Sequence, residues 1–301
     1  MRPRRQAKRT VKRSHPRRNN LDFGNFYFYH KGTKALSRNS FTLCLCVLVV
    51  SLSLSACSNR AAHRRYEEAQ KLFDSGDYLA AVHAFELVAA DHPDSDVADH
   101  ALYMAGQIYA LYFHQYDRAQ NAYQRLVQSY PRSPDAPSAQ LARAEIFHDK
   151  SEDYDRALQE YHRLLTLYPD SPHPDRIHYR MSRCFLELKN FIQYRAKLEY
   201  LLKNYPQSEW ADDAALSLAE SYYLQGQTET ALQKYQQFLR DYPHSPLAIQ
   251  ARFGVAKSLE ESLRLEEAIQ AYKNLLPDYP NKSLIQDRLA AVEKRFQERS
   301  R

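Results

Sequence analysis

Residues 154–172 read YDRALQEYHRLLTLYPDSP. Ala157, Tyr161, Leu164, Leu165 and Tyr168 stand at positions i, i+4, i+7, i+8 and i+11, which a helix of about 3.6 residues per turn gathers on one face. Pro169 then ends the helix, because its ring excludes helical continuation. The junction recurs as His92-Pro93-Asp94-Ser95, Tyr130-Pro131-Arg132-Ser133, Tyr168-Pro169-Asp170-Ser171, Tyr205-Pro206-Gln207-Ser208, Tyr242-Pro243-His244-Ser245 and Tyr279-Pro280-Asn281. Its prolines are 38, 38, 37, 37 and 37 residues apart. Twelve residues before each one stands Ala81, Ala119, Ala157, Tyr194, Ala231 or Ala268. Another amphipathic stretch precedes each of these helices; in residues 211–226, ADDAALSLAESYYLQG, the inward positions are Leu216, Ala219, Tyr222 and Tyr223. The Ser after each Pro is expected to cap the following helix, with Pro134, Pro172 and Pro246 at its first position.

Two antiparallel helices per 37–38 residues, with Ala at a fixed crossing and Phe85, Tyr123, Tyr161, Tyr235 or Tyr272 four residues on, resemble the tetratricopeptide repeat. That family's period is about 34 residues, with small residues at the crossing and Pro near the end of the second helix. The resemblance spans about residues 64–282 and implies an all-α superhelical solenoid of about six helix pairs, closed by a charged capping helix over Ser283–Arg299. The period is longer than the family's and its early Trp is missing. The fourth unit carries Tyr194 and Leu198 where the others have Ala and an aromatic, so a looser pair and a local change of superhelix geometry are expected there. A plain helical bundle is the competing reading; it does not require a six-fold register.

The charge is not spread along the chain. The whole sequence carries 42 Lys and Arg against 36 Asp and Glu, a net +6. Residues 1–40 hold twelve of the bases and one acid, Asp22, whereas residues 57–301 come to −5. A nucleic-acid partner therefore loses its support. Between the two lies FTLCLCVLVVSLSLSA, Phe41–Ala56, uncharged and shorter than the roughly 20 residues of a spanning helix. It reads as the apolar core of a secretory signal. Leu54-Ser55-Ala56-Cys57 resembles the lipobox of bacterial lipoproteins, which implies cleavage before Cys57 and acylation of its thiol. By the same resemblance Ser58 goes with sorting to the outer membrane, on its periplasmic face. The expected organisation is a signal over 1–56, a lipid-anchored linker over 57–63 and the repeat domain over 64–301. The alternatives are an uncleaved signal anchor with Cys57 as an ordinary small residue, and, for the long basic front end, a translation start placed too far upstream. Cys184 is then the one thiol left in the repeats, expected as a buried small hydrophobe.

Nothing in the repeats reads as catalytic machinery or as a cofactor or metal motif: H-E-x-x-H, G-x-S-x-G and C-x-x-C are all missing, and the histidines, His114, His148 and His162 among them, are scattered. A binding surface remains. Stacked repeats expose the first helix of each pair along one extended face. Aligning the units on Ala69, Gly106, Ala144, Ser182, Ala219 and Ala256 places Tyr66, Gln70, Tyr103, Gln107, Glu145, Tyr179, Arg183, Leu216, Glu220, Tyr223, Phe253 and Lys257 on or near it. Aromatic anchors among charges suit a protein or peptide partner, although each Tyr could equally be core. Trp210 is expected to cover a repeat junction.

A lipobox followed by regular repeats with Tyr-Pro-x-Ser junctions is similar to the BamD-type outer-membrane assembly lipoproteins. That resemblance implies a scaffold that docks a β-barrel assembly subunit and reads substrate segments, anchored to the membrane through lipid. Members of that family typically have five less regular repeats and a long insertion; six near-uniform units stand here. The runner-up is a periplasmic adaptor of the CpoB (YbgF) type, coupling envelope assembly to division, although those proteins usually lack a lipobox and carry an N-terminal coiled coil. An enzyme of envelope polymers is the third reading.

Overall fold

The computed structural model describes residues 58–299. The signal and Cys57 lie outside the described residues. Among those described there are helices and no strands. The helices are α1 (58–74), α2 (Tyr78–Asp91), α3 (Ala98–Leu111), α4 (Tyr116–Ser129), α5 (Ala136–Asp149), α6 (Tyr154–Leu167), α7 (Pro174–Glu187), α8 (Phe191–Asn204), α9 (Ala211–Leu224), α10 (Thr228–Asp241), α11 (Ala248–Glu261), α12 (Leu265–Leu275) and α13 (Lys282–Arg299). Each packs chiefly on its neighbours in sequence, giving an all-α solenoid of six pairs and a cap. The expected linker is replaced by helix from residue 58 onward. Ala62 is fully buried, and the Asn59 side chain accepts from the Asp96 backbone N–H at 3.3 Å, so the first turns of α1 are ordered against the α2–α3 loop.

The alanines at the crossings, Ala81, Ala119, Ala157, Ala231 and Ala268, are all inaccessible to solvent, as the register requires. In the second pair the facing residue shrinks to Gly106, where an added Cβ would lie 2.4 Å from the Tyr123 ring. The fourth pair departs from expectation: α7 and α8 lie as close as the others. Tyr194 belongs instead to the core formed with Leu198, Leu201, Ala211, Ala214 and Leu218. The thinnest joint lies one step earlier, between α6 and α7.

The Tyr-Pro-x-Ser junction is a β-turn. Its Ser N–H donates to the carbonyl of the aromatic or His three residues back, at 3.0–3.2 Å, for Ser95, Ser133, Ser171, Ser208 and Ser245. Pro occupies the second position of that turn, where its fixed φ is suited. The next helix starts three residues after the Ser, at Ala98, Ala136, Ala211 and Ala248, so Pro134, Pro172 and Pro246 lie before it and not at its first position. The Ser hydroxyl accepts from the N–H two residues on, at 3.1 Å for Ser133, Ser208 and Ser245, and caps the turn rather than the helix. Ser208 and Ser245 also donate to Asp175 (2.6 Å) and Asp212 (2.7 Å) at the start of the preceding unit's first helix, tying unit to unit.

Side-chain caps occur on second helices instead, where Asp77, Asp153 and Asn190 accept from the N–H three residues on, at 3.1, 3.1 and 3.2 Å. Just before each second helix the chain passes through the left-handed region. Gly76 (φ +84) and Gly226 (φ +72) hold that position in two units, and His114, Glu152, Lys189 and Leu263 hold it, at φ 50–59, in the other four.

Candidate binding groove

The residues expected on the first-helix face fall into separate clusters. Tyr103 and Gln107 of α3 and Glu145 of α5 line one cleft of about 280 Å³, together with Tyr116 and Tyr123 of α4, Ile146 and Asp149 of α5 and Lys150 just after it. Tyr123 is buried, and desolvation pushes its hydroxyl pKa far up, so it stays neutral and acts as wall. Tyr103 is half-buried with its ring 5.9 Å from that of Tyr123, leaving one edge open to the cleft.

The floor beside it is ionic. Arg176 Nη2 lies 2.6 Å from Glu145 Oε1, and Arg180 Nη1 lies 2.9 Å from Asp149 Oδ1. Two carboxylates four apart on α5 thus meet two arginines four apart on α7, one repeat away. Arg176, Arg180 and Asp149 were not among the expected groove residues; the signal that could have found them is this i, i+4 spacing repeated 31 residues on. Arg183 meets only Glu187 of its own helix, at 4.0 Å.

Glu220, Tyr223, Phe253 and Lys257 are brought together by α9 and α11. The Lys257 ammonium sits 4.5 Å from the Tyr223 ring centroid and 5.0 Å from that of Phe253. Burial lowers the Lys257 pKa, aided by Arg288 and opposed by Glu220; burial likewise raises that of Glu220 against the pull of Lys257. Glu220 is open to solvent, but the crowding of the groove still desolvates its carboxylate.

Other expected groove residues serve packing. Leu216 is buried core, 7% exposed. Tyr66 packs on Phe85 (5.3 Å) and His100 (5.8 Å), while Gln70, one turn on, is exposed. Tyr179 stacks on Trp210 at 4.9 Å and 21°, which places Trp210 over the junction of the fourth and fifth units, as its position suggested. His114, His148 and His162 form no common site. His148 packs against the Sγ of Cys184 at 3.3 Å, whereas His114 hydrogen-bonds Tyr116 at 3.5 Å. Cys184 is fully buried, and desolvation pushes its thiol up to about 12, far from a reactive thiolate.

A second cleft, about 510 Å³, was not foreseen. It opens between α8, α9 and α10 and is lined by Leu202, Pro206, Lys234, Gln237, Asp241 and Tyr242 among others. Among the described residues, no group of three or more His, Cys, Asp or Glu could hold a metal ion, and no helix is long and apolar enough to cross a membrane.

Residues 108–172 match the family model described as tetratricopeptide repeat, and residues 178–296 match the one described as outer membrane lipoprotein. The chain has the fold of tetratricopeptide-repeat proteins and resembles the BamD-type lipoproteins. No curated protein matches it. Among solved structures it is similar to PilW, a type IV pilus biogenesis factor, at 17% identity and a TM-score of 0.47 over 77% of this chain and 99% of that one. A tetratricopeptide repeat protein from Parabacteroides merdae gives 14%, 0.49, 78% and 99% for the same measures. The pilF protein of Pseudomonas aeruginosa gives 16%, 0.45, 78% and 99%.

Proposed function

We propose that the protein is a lipid-anchored scaffold on the periplasmic face of the outer membrane that holds protein partners during β-barrel assembly. The observation that carries this reading is the match of residues 178–296 to an outer membrane lipoprotein family, in a chain whose lipobox ends at Cys57. In this reading residues 1–56 are removed and Cys57 is acylated. Envelope proteins engage the aromatic and ionic clusters of the first-helix face: Tyr103, Gln107 and Glu145 at one end, and Glu220, Tyr223, Phe253 and Lys257 at the other. The groove supports binding rather than turnover, because its charged groups are paired with one another or lie over rings, and none is poised beside a nucleophile.

Two measurements test it. Solubilising membranes in mild detergent and purifying the tagged full chain should recover a β-barrel assembly subunit. Recovery of division or peptidoglycan proteins alone would overturn the assembly role. The variant Cys57→Ala should lose both labelled-palmitate incorporation and membrane fractionation; retention of both would overturn the anchor.

A further inference from the structure

No residue separates Cys57 from the first described helix. Residue 58 is already helical, and consecutive Cα atoms across a trans peptide are about 3.8 Å apart, so Cys57 is covalently held within that distance of α1. The first turns of α1 are in turn fastened to the α2–α3 loop. The Ser58 hydroxyl lies 3.2 Å from His92 Nδ1, and His63 Nε2 lies 2.8 Å from Asp96 Oδ1. Arg65 forms an ion pair with Asp91, and Ala62 is fully buried beneath these contacts.

Two bases in the first turns of α1 are left over, and one exposed acid, Asp94, in the loop beside them. Arg60 and Arg64 are exposed, stand four residues apart and so share one face of α1, and among the described residues neither has a hydrogen-bond or ion-pair partner. At a rise of about 1.5 Å per residue they lie about 3 and 9 Å along the axis from residue 58, where the described helix begins, within or near the Debye length of about 8–10 Å at physiological salt. A basic residue that close to an anionic leaflet is attracted to its headgroups.

We propose that α1 is mounted on the bilayer without a spacer: the acylated Cys57 holds its first turn at an anionic phospholipid surface, Arg60 and Arg64 contact the headgroups, and the α2–α3 loop is kept there with them. This rests on the lipoprotein reading. The solenoid then meets the membrane in a set orientation, through its first unit, instead of trailing from a flexible tether.

The test uses the full acylated chain in vesicles of phosphatidylethanolamine and phosphatidylglycerol, with a fluorophore on Asp94→Cys in the α2–α3 loop and a nitroxide-labelled lipid as quencher. Cys184 is buried and does not compete for the label. Strong quenching at residue 94 is expected. Inserting ten Gly and Ser residues between Cys57 and Ser58 should reduce it several-fold while flotation with the vesicles is unchanged. Equal quenching with and without the insertion would overturn the mount. Arg60→Glu combined with Arg64→Glu should lower the quenching in anionic vesicles to the level seen with zwitterionic ones. Indifference to both the substitution and the lipid charge would overturn the headgroup contact. If the unmodified chain does not float at all, the anchor fails and the mount fails with it, an outcome distinct from floating without quenching.

Discussion

Gly106→Ala adds one methyl group at the tightest crossing of the second pair. The new Cβ would stand 2.4, 2.7 and 2.8 Å from three carbons of the Tyr123 ring, where ordinary contact begins near 3.4 Å. The ring is 3% exposed and packed in the same core as Phe85, Leu126 and Ala139, so the one side left to it is the cleft it walls. Two effects oppose each other. Ala is preferred over Gly inside a helix by about 1 kcal/mol. Overpacking a filled core costs about 1–3 kcal/mol, and a clash of about 1 Å with a rigid ring belongs at the top of that range. The net loss should be about 2 kcal/mol, which for a chain of this size lowers the melting temperature by about 4–8 °C. Thermal unfolding followed by circular dichroism reads this directly. A second arm separates crowding from any other cause: Tyr123→Leu removes the obstructing ring, so Gly106→Ala in that background should cost little, giving a coupling of at least about 1 kcal/mol in the double-mutant cycle. A Gly106→Ala variant as stable as the parent, or losses that simply add, would refute the claim that this crossing is closed by ring against backbone.

Leu263→Gly should stabilise the protein by about 0.5–1 kcal/mol in urea unfolding, because Leu263 sits at φ 59 with its side chain 53% exposed; Gly226→Ala, at φ +72 with open space around it, should destabilise by about 1 kcal/mol. Glu260→Gln should weaken the cap by about 2 kcal/mol, since the buried Glu260 carboxylate holds Arg295 at 3.0 Å, Arg288 at 3.7 Å and the Tyr272 hydroxyl at 2.8 Å; hydrogen exchange should quicken in α13 and not in α1–α4. His178 is lowered to about 4 by burial, with Lys197 adding and Asp175 opposing, so between pH 6.5 and 4 the unfolded chain takes a proton that the folded one refuses. Stability should be complete above about pH 6.5 and fall by up to about 3 kcal/mol by pH 4, a slope that His178→Gln should flatten in melting curves recorded against pH. Native-state hydrogen exchange should find the amides of α6 and α7 less protected than those of α10 and α11, where packing is densest.

The helix pairs were legible because two positions that must stay small or aromatic return every 37 or 38 residues, and burial of Ala81, Ala119, Ala157, Ala231 and Ala268 follows from that. The left-handed residue before each second helix was legible only at Gly76 and Gly226. The conformation costs an ordinary residue about 1–2 kcal/mol, little enough for a well-packed pair to absorb, so His114, Glu152, Lys189 and Leu263 conceal it. Helix starts were misread because Ser-Pro fits two rules at once, helix N-cap and β-turn; the preceding Tyr-Pro decides for the turn, which delays the helix by two residues. In the groove, single positions such as Tyr103 and Glu145 could be placed by register. Their ionic partners could not, since Arg176 and Arg180 answer to residues 31 positions away.

Register also hides where the repeats stop being alike. The second pair fills three facing positions with Leu102, Ala105 and Ala122; in the third pair the same positions carry Gln140, Arg143 and Glu160. These are 0, 6 and 8% exposed, with Gln140 Nε2 at 2.5 Å from Glu160 Oε2 and Arg143 Nη2 at 3.2 Å from Glu160 Oε1, while Gln140 Oε1 and Arg143 Nε are buried without a hydrogen-bond partner among the described residues. A buried ion pair of this kind recovers in attraction about what it loses in desolvation, so it contributes far less than the apolar trio it replaces. The fourth pair continues the change, with the buried His178 at the position of Leu102 and Gln140. In a solenoid, stability is close to a sum of terms between neighbours, so two successive polar units cannot borrow from the apolar ones at either end. The thin α6–α7 joint between them is therefore no accident of the loop: it falls where the chain has given up hydrophobic area on both sides. Tyr194 works against that loss. By placing its ring with Leu198, Leu201 and Leu218, it binds the fourth pair to the fifth, and the weakness stays confined to one joint.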